Sequence, residues 1–275
     1  MNVRLLAAPR APAGARAGIG RIVRLRPPAA LSTLVVPLLV LALWQLAASH
    51  ALLPVQILPP PALVLNTLVD LTLSGDIFTN LGVSLWRIGI GIAIGCSLGL
   101  ALGTVMGLSQ AADDYISPLF RALAQIPSLG WVPVLILIFG LDEIVKYLII
   151  AKACFVPTTI AMAEGIRNIP RSYKEVATVL GLGRRATIRK LIVPAALPTI
   201  FGGLRLAFSH AWIALIVVEM LAAQEGVGYM MVWGRTLFQT DIVIAGMIVI
   251  GVIGLAMDSG LRRLERRLRR WAVPA

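Results

Sequence analysis

Of the 275 residues, 58% are hydrophobic and only 14% charged, and the mean hydropathy is +0.88. A soluble domain carries about a quarter charged residues; here the apolar residues come in long blocks, which excludes an ordinary soluble globule and marks an integral membrane protein. The formal charge of +12 would suggest nucleic acid in a soluble chain, but the basic residues cluster beside apolar blocks as cytoplasmic segments do, so no nucleic-acid partner is expected and membrane lipid is.

Residues 1–30 carry Arg4, Arg10, Arg16, Arg21, Arg24 and Arg26 among Ala, Pro and Gly, a composition expected to form a disordered cytoplasmic tail. A first membrane helix is expected over 31–51. Its small residues Ala47, Ala48 and Ser49 leave a cleaved signal peptide as the alternative, but the block exceeds the roughly 7–15 apolar residues usual there. Residues 52–82 hold Pro54, Pro59–Pro61, Asp70 and Asp76 but no Lys or Arg, and are expected to form a periplasmic loop with one short amphipathic stretch.

The core, 83–260, reads as five further spans: Ser84–Leu108, Ile116–Gly140, Ile144–Ile166, Ala195–Ala222 and Ile242–Gly260. Pro127, Gly130 and Pro133 interrupt the second of these, and Pro157 is expected to kink the third. Six spans place both termini on one side, which gathers all three basic clusters in the cytoplasm. The tail 261–275 sets Leu261, Leu264 and Leu268 on one face amid six arginines. It is expected to be a basic amphipathic helix on the inner membrane surface.

Gly91, Gly95, Gly99, Gly103 and Gly107 recur every fourth residue, so they line one helix face where a second helix can approach closely. Gly89-x-Gly91 has the wrong spacing for a nucleotide fingerprint. Cys96 and Cys154 fall in apolar blocks and read as small hydrophobes, with neither disulfide nor metal-ligand spacing. No phosphate-loop sequence and no catalytic or metal-binding constellation is present in the sequence, so no cofactor is expected in this chain.

Ionisable residues at membrane depth are costly and mark pathways. Arg87, Lys152, Arg205, His210 and Glu219 are therefore the candidates for a translocation path, their cations suited to an anionic solute. Structural roles compete: Arg87 can snorkel, Glu219 can pair with a cation, and His210 can be a packing residue.

The polar stretch 167–194 contains Arg167, Arg171, Lys174, Arg184, Arg185, Arg189 and Lys190. Glu175–Leu180 reads as a short helix stopped by Gly181 in a left-handed conformation. A second basic helix, Arg184–Leu191, is expected to run into Pro194. The alternative is a solvated loop whose charges serve topology alone.

The run Glu175-Val176-Ala177, Gly181 four residues on, and Leu191-Ile192-Val193-Pro194 after nine more resemble the EAA loop of binding-protein-dependent ABC importer permeases. Val176, Leu191 and Val193 depart conservatively from that pattern. Further resembling segments are Leu58–Pro61, Ser84–Arg87, Ile126–Leu129, Phe139–Glu143, Gly203–Arg205, Glu219-Met220, Gly226–Tyr229 and Gln239–Asp241. Together they look closest to the aliphatic sulfonate, taurine and nitrate permeases.

The resemblance implies an all-α membrane fold of the type I ABC importer kind in a bacterial inner membrane. It implies a non-catalytic subunit moving a small anionic solute, with an aliphatic sulfonate first and taurine or nitrate as alternatives. Glu175, Val176, Ala177, Gly181, Leu182, Arg184, Arg185, Leu191 and Pro194 would form the coupling loop. The implied partners are two cytoplasmic ATPases that bind ATP and Mg, a second permease copy and a periplasmic or lipid-anchored binding protein. An ion-coupled secondary transporter and an intramembrane enzyme are the rival classes; the first gives no reason for the loop, and the second needs paired carboxylates, a Ser/Lys pair or His-rich metal ligands at membrane depth.

Overall fold

A computed structural model describes residues 29–268, so the basic tail 1–28 and residues 269–275 lie outside the described residues. The chain divides into two compact units, Met1–Trp44 and Gln45–Ala275. Most of helix α1 (Ala29–Ser49) belongs to the first unit, and Pro37 lies inside it.

The second unit is entirely helix and loop among the described residues. Helix α2 (Pro61–Leu73) starts on a proline, whose fixed φ suits a first helical position. Helix α3 (Asp76–Leu108) begins well before the expected Ser84, so the expected periplasmic loop is largely helical. Its 33 residues extend about 50 Å.

Helices α4 (Gln110–Gln125) and α5 (Val132–Phe139) flank a single 3₁₀ turn, Ser128–Trp131. They meet at 84°. The interruption expected in the span Ile116–Gly140 is thus a sharp angle. The physical reason lies in its prolines: Ile126, preceding Pro127, adopts the extended backbone that a following proline demands. Pro133 then starts a new helix.

Helix α6 (Glu143–Arg167) is the central element. Val145, Ile149, Ile150 and Cys154 on it are fully buried. On one side α6 meets the glycine row of α3: a Cβ at Gly99 would lie 2.8 Å from Thr158 Cβ, and one at Gly107 2.9 Å from Ile166 Cβ. Its other side meets helix α9 (Val193–Ala222), where Gly203 lies against Ala161 and Ile166 packs on Ala196 and Ile200. Small residues let the backbones of both pairs approach, which is how helices associate when lipid removes the hydrophobic drive between them.

Helices α7 (Arg171–Val179) and α8 (Arg184–Thr187) lie between α6 and α9. The basic helix expected from Arg184 to Leu191 is not separate. It passes through a π-turn, Ile188–Ile192, directly into α9. Helix α10 (Val227–Thr236) was not anticipated; Gly226, at φ 108°, turns the chain into it. Helix α11 (Thr240–Leu268) runs without a break past Gly260. The 261–268 part of the expected surface helix is therefore a continuation of the last span, and an Asp258–Arg262 pair bridges the expected boundary.

Among the described residues four helical rods are long and apolar enough to cross a membrane, and five if the α4–α5 angle counts as one span. Helix α1, at 21 residues, is apolar along its length.

Candidate functional site

Three places gather the polar residues of the second unit. The first is an ion cluster where α3 begins, α6 begins and α9 ends, buried at Arg87, Lys146 and Glu219 and open at Glu143. Arg87 donates from Nε and Nη2 to the two oxygens of Glu143, each at 2.7 Å. Its Nη1 donates to Glu219 Oε1 at 2.9 Å and to the Glu225 carbonyl at 2.6 Å. Lys146 Nζ donates to Glu143 Oε1 at 2.8 Å. Glu219 is fully buried and also accepts from Ser84 Oγ and, at 3.0 Å, from Gly228 N–H. Ser84 in turn accepts from Val227 N–H, and Asn80 accepts from Gly226 N–H.

Two cations face two carboxylates here, so the cluster is neutral and its donors are satisfied, which is the condition for burying charge at tolerable cost. The turn 226–228 closes on it because Gly226 and Gly228 lack side chains: a Cβ on Gly228 would lie 2.7 Å from Glu219 Cβ.

The second place is a cavity of about 690 Å³ along the α6–α9 seam, roofed by the α4–α5 break. Its walls are mostly apolar, including Ile126, Pro127, Val156, Ile160, Leu206 and Ile213. Lys152 and His210 open onto it, with Ser128, Glu164 and Thr199 as further polar groups. Lys152 Nζ donates to the Ile126 carbonyl at 2.7 Å and sits 5.7 Å from the centre of the Trp131 ring.

The third place lies at the far end of α6, about 37 Å along that helix from the ion cluster. Helix α7 ends in a Schellman motif: Leu182 N–H donates to the Ala177 carbonyl and Gly181 N–H to the Thr178 carbonyl, both at 3.0 Å. Gly181 has φ 63°, the left-handed residue that motif requires. Ala177 is buried, whereas Glu175, Gly181, Arg185 and Pro194 are exposed and Leu182 and Leu191 half-buried. Arg184 opens α8. Tyr173, Val176, Val179 and Leu180 are exposed too, Val179 to 88%. Nearby, Arg167 pairs with Asp113 across to α4.

The five path candidates from sequence therefore separate. Lys152 and His210 share the cavity. Arg87 and Glu219 bind each other in the ion cluster, and Arg205 pairs with Asp258 of α11 at 2.9 Å. Sequence reading missed Glu143, Ser84, Lys146 and Asp258 as partners. Glu143 could have been found from its place after Asp142, an N-cap whose side chain accepts from Ile144 N–H. The cysteines are free, Cys154 buried and Cys96 half-buried, and no metal-binding group occurs among the described residues.

Comparison with known proteins gives this arrangement a family. Residues 91–270 match the binding-protein-dependent transport system inner membrane component family. A Bacillus subtilis protein named as an aliphatic sulfonates transport permease, SsuC, is 38% identical over 238 residues, 86% of each chain. The Escherichia coli taurine transport system permease protein TauC is 31% identical, covering 84% of this chain and 86% of its own. The bicarbonate transport system permease protein CmpB of Synechococcus elongatus is 33% identical over 73% of this chain and 71% of its own. The chain belongs to the binding-protein-dependent transport system inner membrane components, multi-pass ABC transporter permeases with the all-helical type I fold.

Proposed function

We propose that the chain forms the translocation path of an ATP-driven importer for a small oxyanion, an aliphatic sulfonate first and taurine, nitrate or bicarbonate next. The relatives named above handle sulfonates, taurine and bicarbonate, all of which carry an anionic oxygen head. The chain hydrolyses nothing; ATP and Mg are held by two partner ATPases in the cytoplasm. A second copy of the chain completes the path, and a binding protein delivers solute at the Arg87 end. Both termini and the 167–194 loop face the cytoplasm.

The observation that carries this reading is the α7–Gly181–α8 unit. It projects Tyr173, Val176, Val179 and Leu180 outward while its own backbone is closed by the Schellman bonds. A solvated loop serving topology alone has no reason to present an ordered apolar face, whereas a partner cleft buries one. Through Thr187 and the π-turn the unit continues into α9. A push on α7 is thereby delivered to the helix that walls the cavity, which alternating access requires.

The test co-expresses the chain with its ATPase and binding protein and measures ATP hydrolysis and uptake of taurine in proteoliposomes. Wild type stimulates hydrolysis. Glu175→Ala/Gly181→Pro, which removes an exposed charge and the left-handed stop, loses ATPase binding or stimulation while the purified chain keeps its helix content. Wild-type uptake that proceeds without any ATPase and collapses with an uncoupler would establish an ion-coupled transporter instead.

A further inference from the structure

We propose that Lys152 is the recognition cation of the cavity, receiving the anionic head of the transported solute. The other cations on α3, α6 and α9 are all neutralised within the chain. Arg87, Lys146, Arg167 and Arg205 each have a carboxylate partner. Lys152 has the Ile126 carbonyl and the face of Trp131, and no ion pair among the described residues. A carbonyl and a ring offset part of the cost of desolvating an ammonium, yet they leave its full positive charge at the wall of an apolar cavity.

The carboxylate that shares the cavity, Glu164, is twelve residues along α6, a rise of about 18 Å, too far to neutralise it. An ammonium has three N–H donors, and Ile126 takes one. Trp131, whose ring Lys152 overlies, lines the smaller apolar pocket on the other side of Lys152, so the cavity itself supplies Lys152 no counter-charge. An oxyanion has lone pairs for the remaining N–H groups and the counter-charge that Lys152 lacks. The cavity of about 690 Å³ holds a small sulfonate with room for water. Recognition of the solute's head is thereby placed in this chain as well as in the protein that delivers it.

The inference rests on the importer reading for the identity of the solute, and its test is independent of ATP. The full chain is placed in phosphatidylcholine nanodiscs and titrated calorimetrically with ethanesulfonate and with ethyl methyl sulfone, a neutral analogue of similar shape. Wild type binds the sulfonate saturably and the sulfone far more weakly. Lys152→Arg keeps the preference, and Lys152→Gln weakens sulfonate binding about tenfold or more, the value of one charge-assisted hydrogen bond.

Equal affinity for sulfonate and sulfone in wild type overturns the proposal, as does undiminished binding by a folded Lys152→Gln, or no saturable binding by wild type. Replacing part of the lipid with phosphatidylglycerol separates solute from headgroup. Unchanged sulfonate affinity supports a solute site, and a proportional fall assigns Lys152 to lipid and overturns the proposal. Lys152→Gln also removes a contact that holds the break, so circular dichroism screens its folding. If it fails to fold, the wild-type sulfonate-to-sulfone comparison decides alone. Failure of the importer reading shows separately, as absent ATPase stimulation by wild type.

Discussion

Arg87 and Lys152 are both cations on membrane helices, and their surroundings could hardly differ more. Arg87 is held by two carboxylates and a carbonyl, inside a cluster whose charges cancel. Lys152 meets only a carbonyl and an aromatic face, at the wall of an open cavity. In a low-dielectric interior a paired charge ties elements together, while an unpaired one is retained only where something else supplies its counter-charge. The first arrangement therefore belongs to the framework, joining α3, α6 and α9 at one end of the bundle, and the second is the one we propose to serve transport.

The largest effect expected from this contrast is Arg87→Leu. It leaves Glu219, fully buried, without its cation and strips Glu143 of a two-pronged partner. Breaking a buried pair on one side costs about 3–5 kcal/mol. A lowered thermal unfolding midpoint in detergent or nanodiscs checks it. Lys152→Arg, which keeps the charge, is expected to unfold close to wild type. If Arg87→Leu unfolds as late as wild type, the cluster is not the framework described here and the contrast between the two cations collapses.

The sequence shows each member of that cluster but not their meeting. Ser84–Arg87, Phe139–Glu143, Glu219 and Gly226–Gly228 stand out separately as family-like segments, yet 132 residues separate Arg87 from Glu219. No periodicity reports which ends of which helices adjoin, so Arg87 and Arg205 looked as available to an anion as Lys152. What local chemistry decides was legible. The glycine row faces a helix, Gly181 is left-handed, and the apolar blocks are helical rods. What depends on tertiary placement was not. The prolines of Ile116–Gly140 announce a break there but not its angle of 84°, and α11 runs on past Gly260 across a boundary drawn from composition.

A smaller effect sharpens the account of how the framework packs. Along α3, a methyl group on Gly95 would collide with the backbone carbonyl of Ala151, whereas one on Gly89 meets nothing within 4 Å. Gly95→Ala must push α3 and α6 apart, with a cost of about 1–3 kcal/mol typical of overpacking. Gly89→Ala gains about 0.5–1 kcal/mol from reduced chain freedom. Opposite shifts of the unfolding midpoint in two variants of one chemistry, six residues apart on one helix, would show that the α3–α6 approach sets the sign. Equal shifts would mean that the glycines serve flexibility.

The smallest effect tests whether every ion pair in the chain behaves like the Arg87 cluster. Arg205 pairs with Asp258 at 2.9 Å, but the two side chains are 41% and 30% exposed, and Asp258 also holds Arg262 at 2.6 Å. Asp258 keeps a cation, Arg262, when Arg205 is lost, so no carboxylate is left unpaired. Arg205→Gln should therefore shift the unfolding midpoint only slightly. It should also leave ethanesulfonate binding unchanged, because Arg205 faces α11 rather than the cavity at Lys152. A loss of binding in Arg205→Gln that matched Lys152→Gln would mean that the solute sees summed charge along the path. The separation of paired from unpaired cations would then no longer explain which residue receives it.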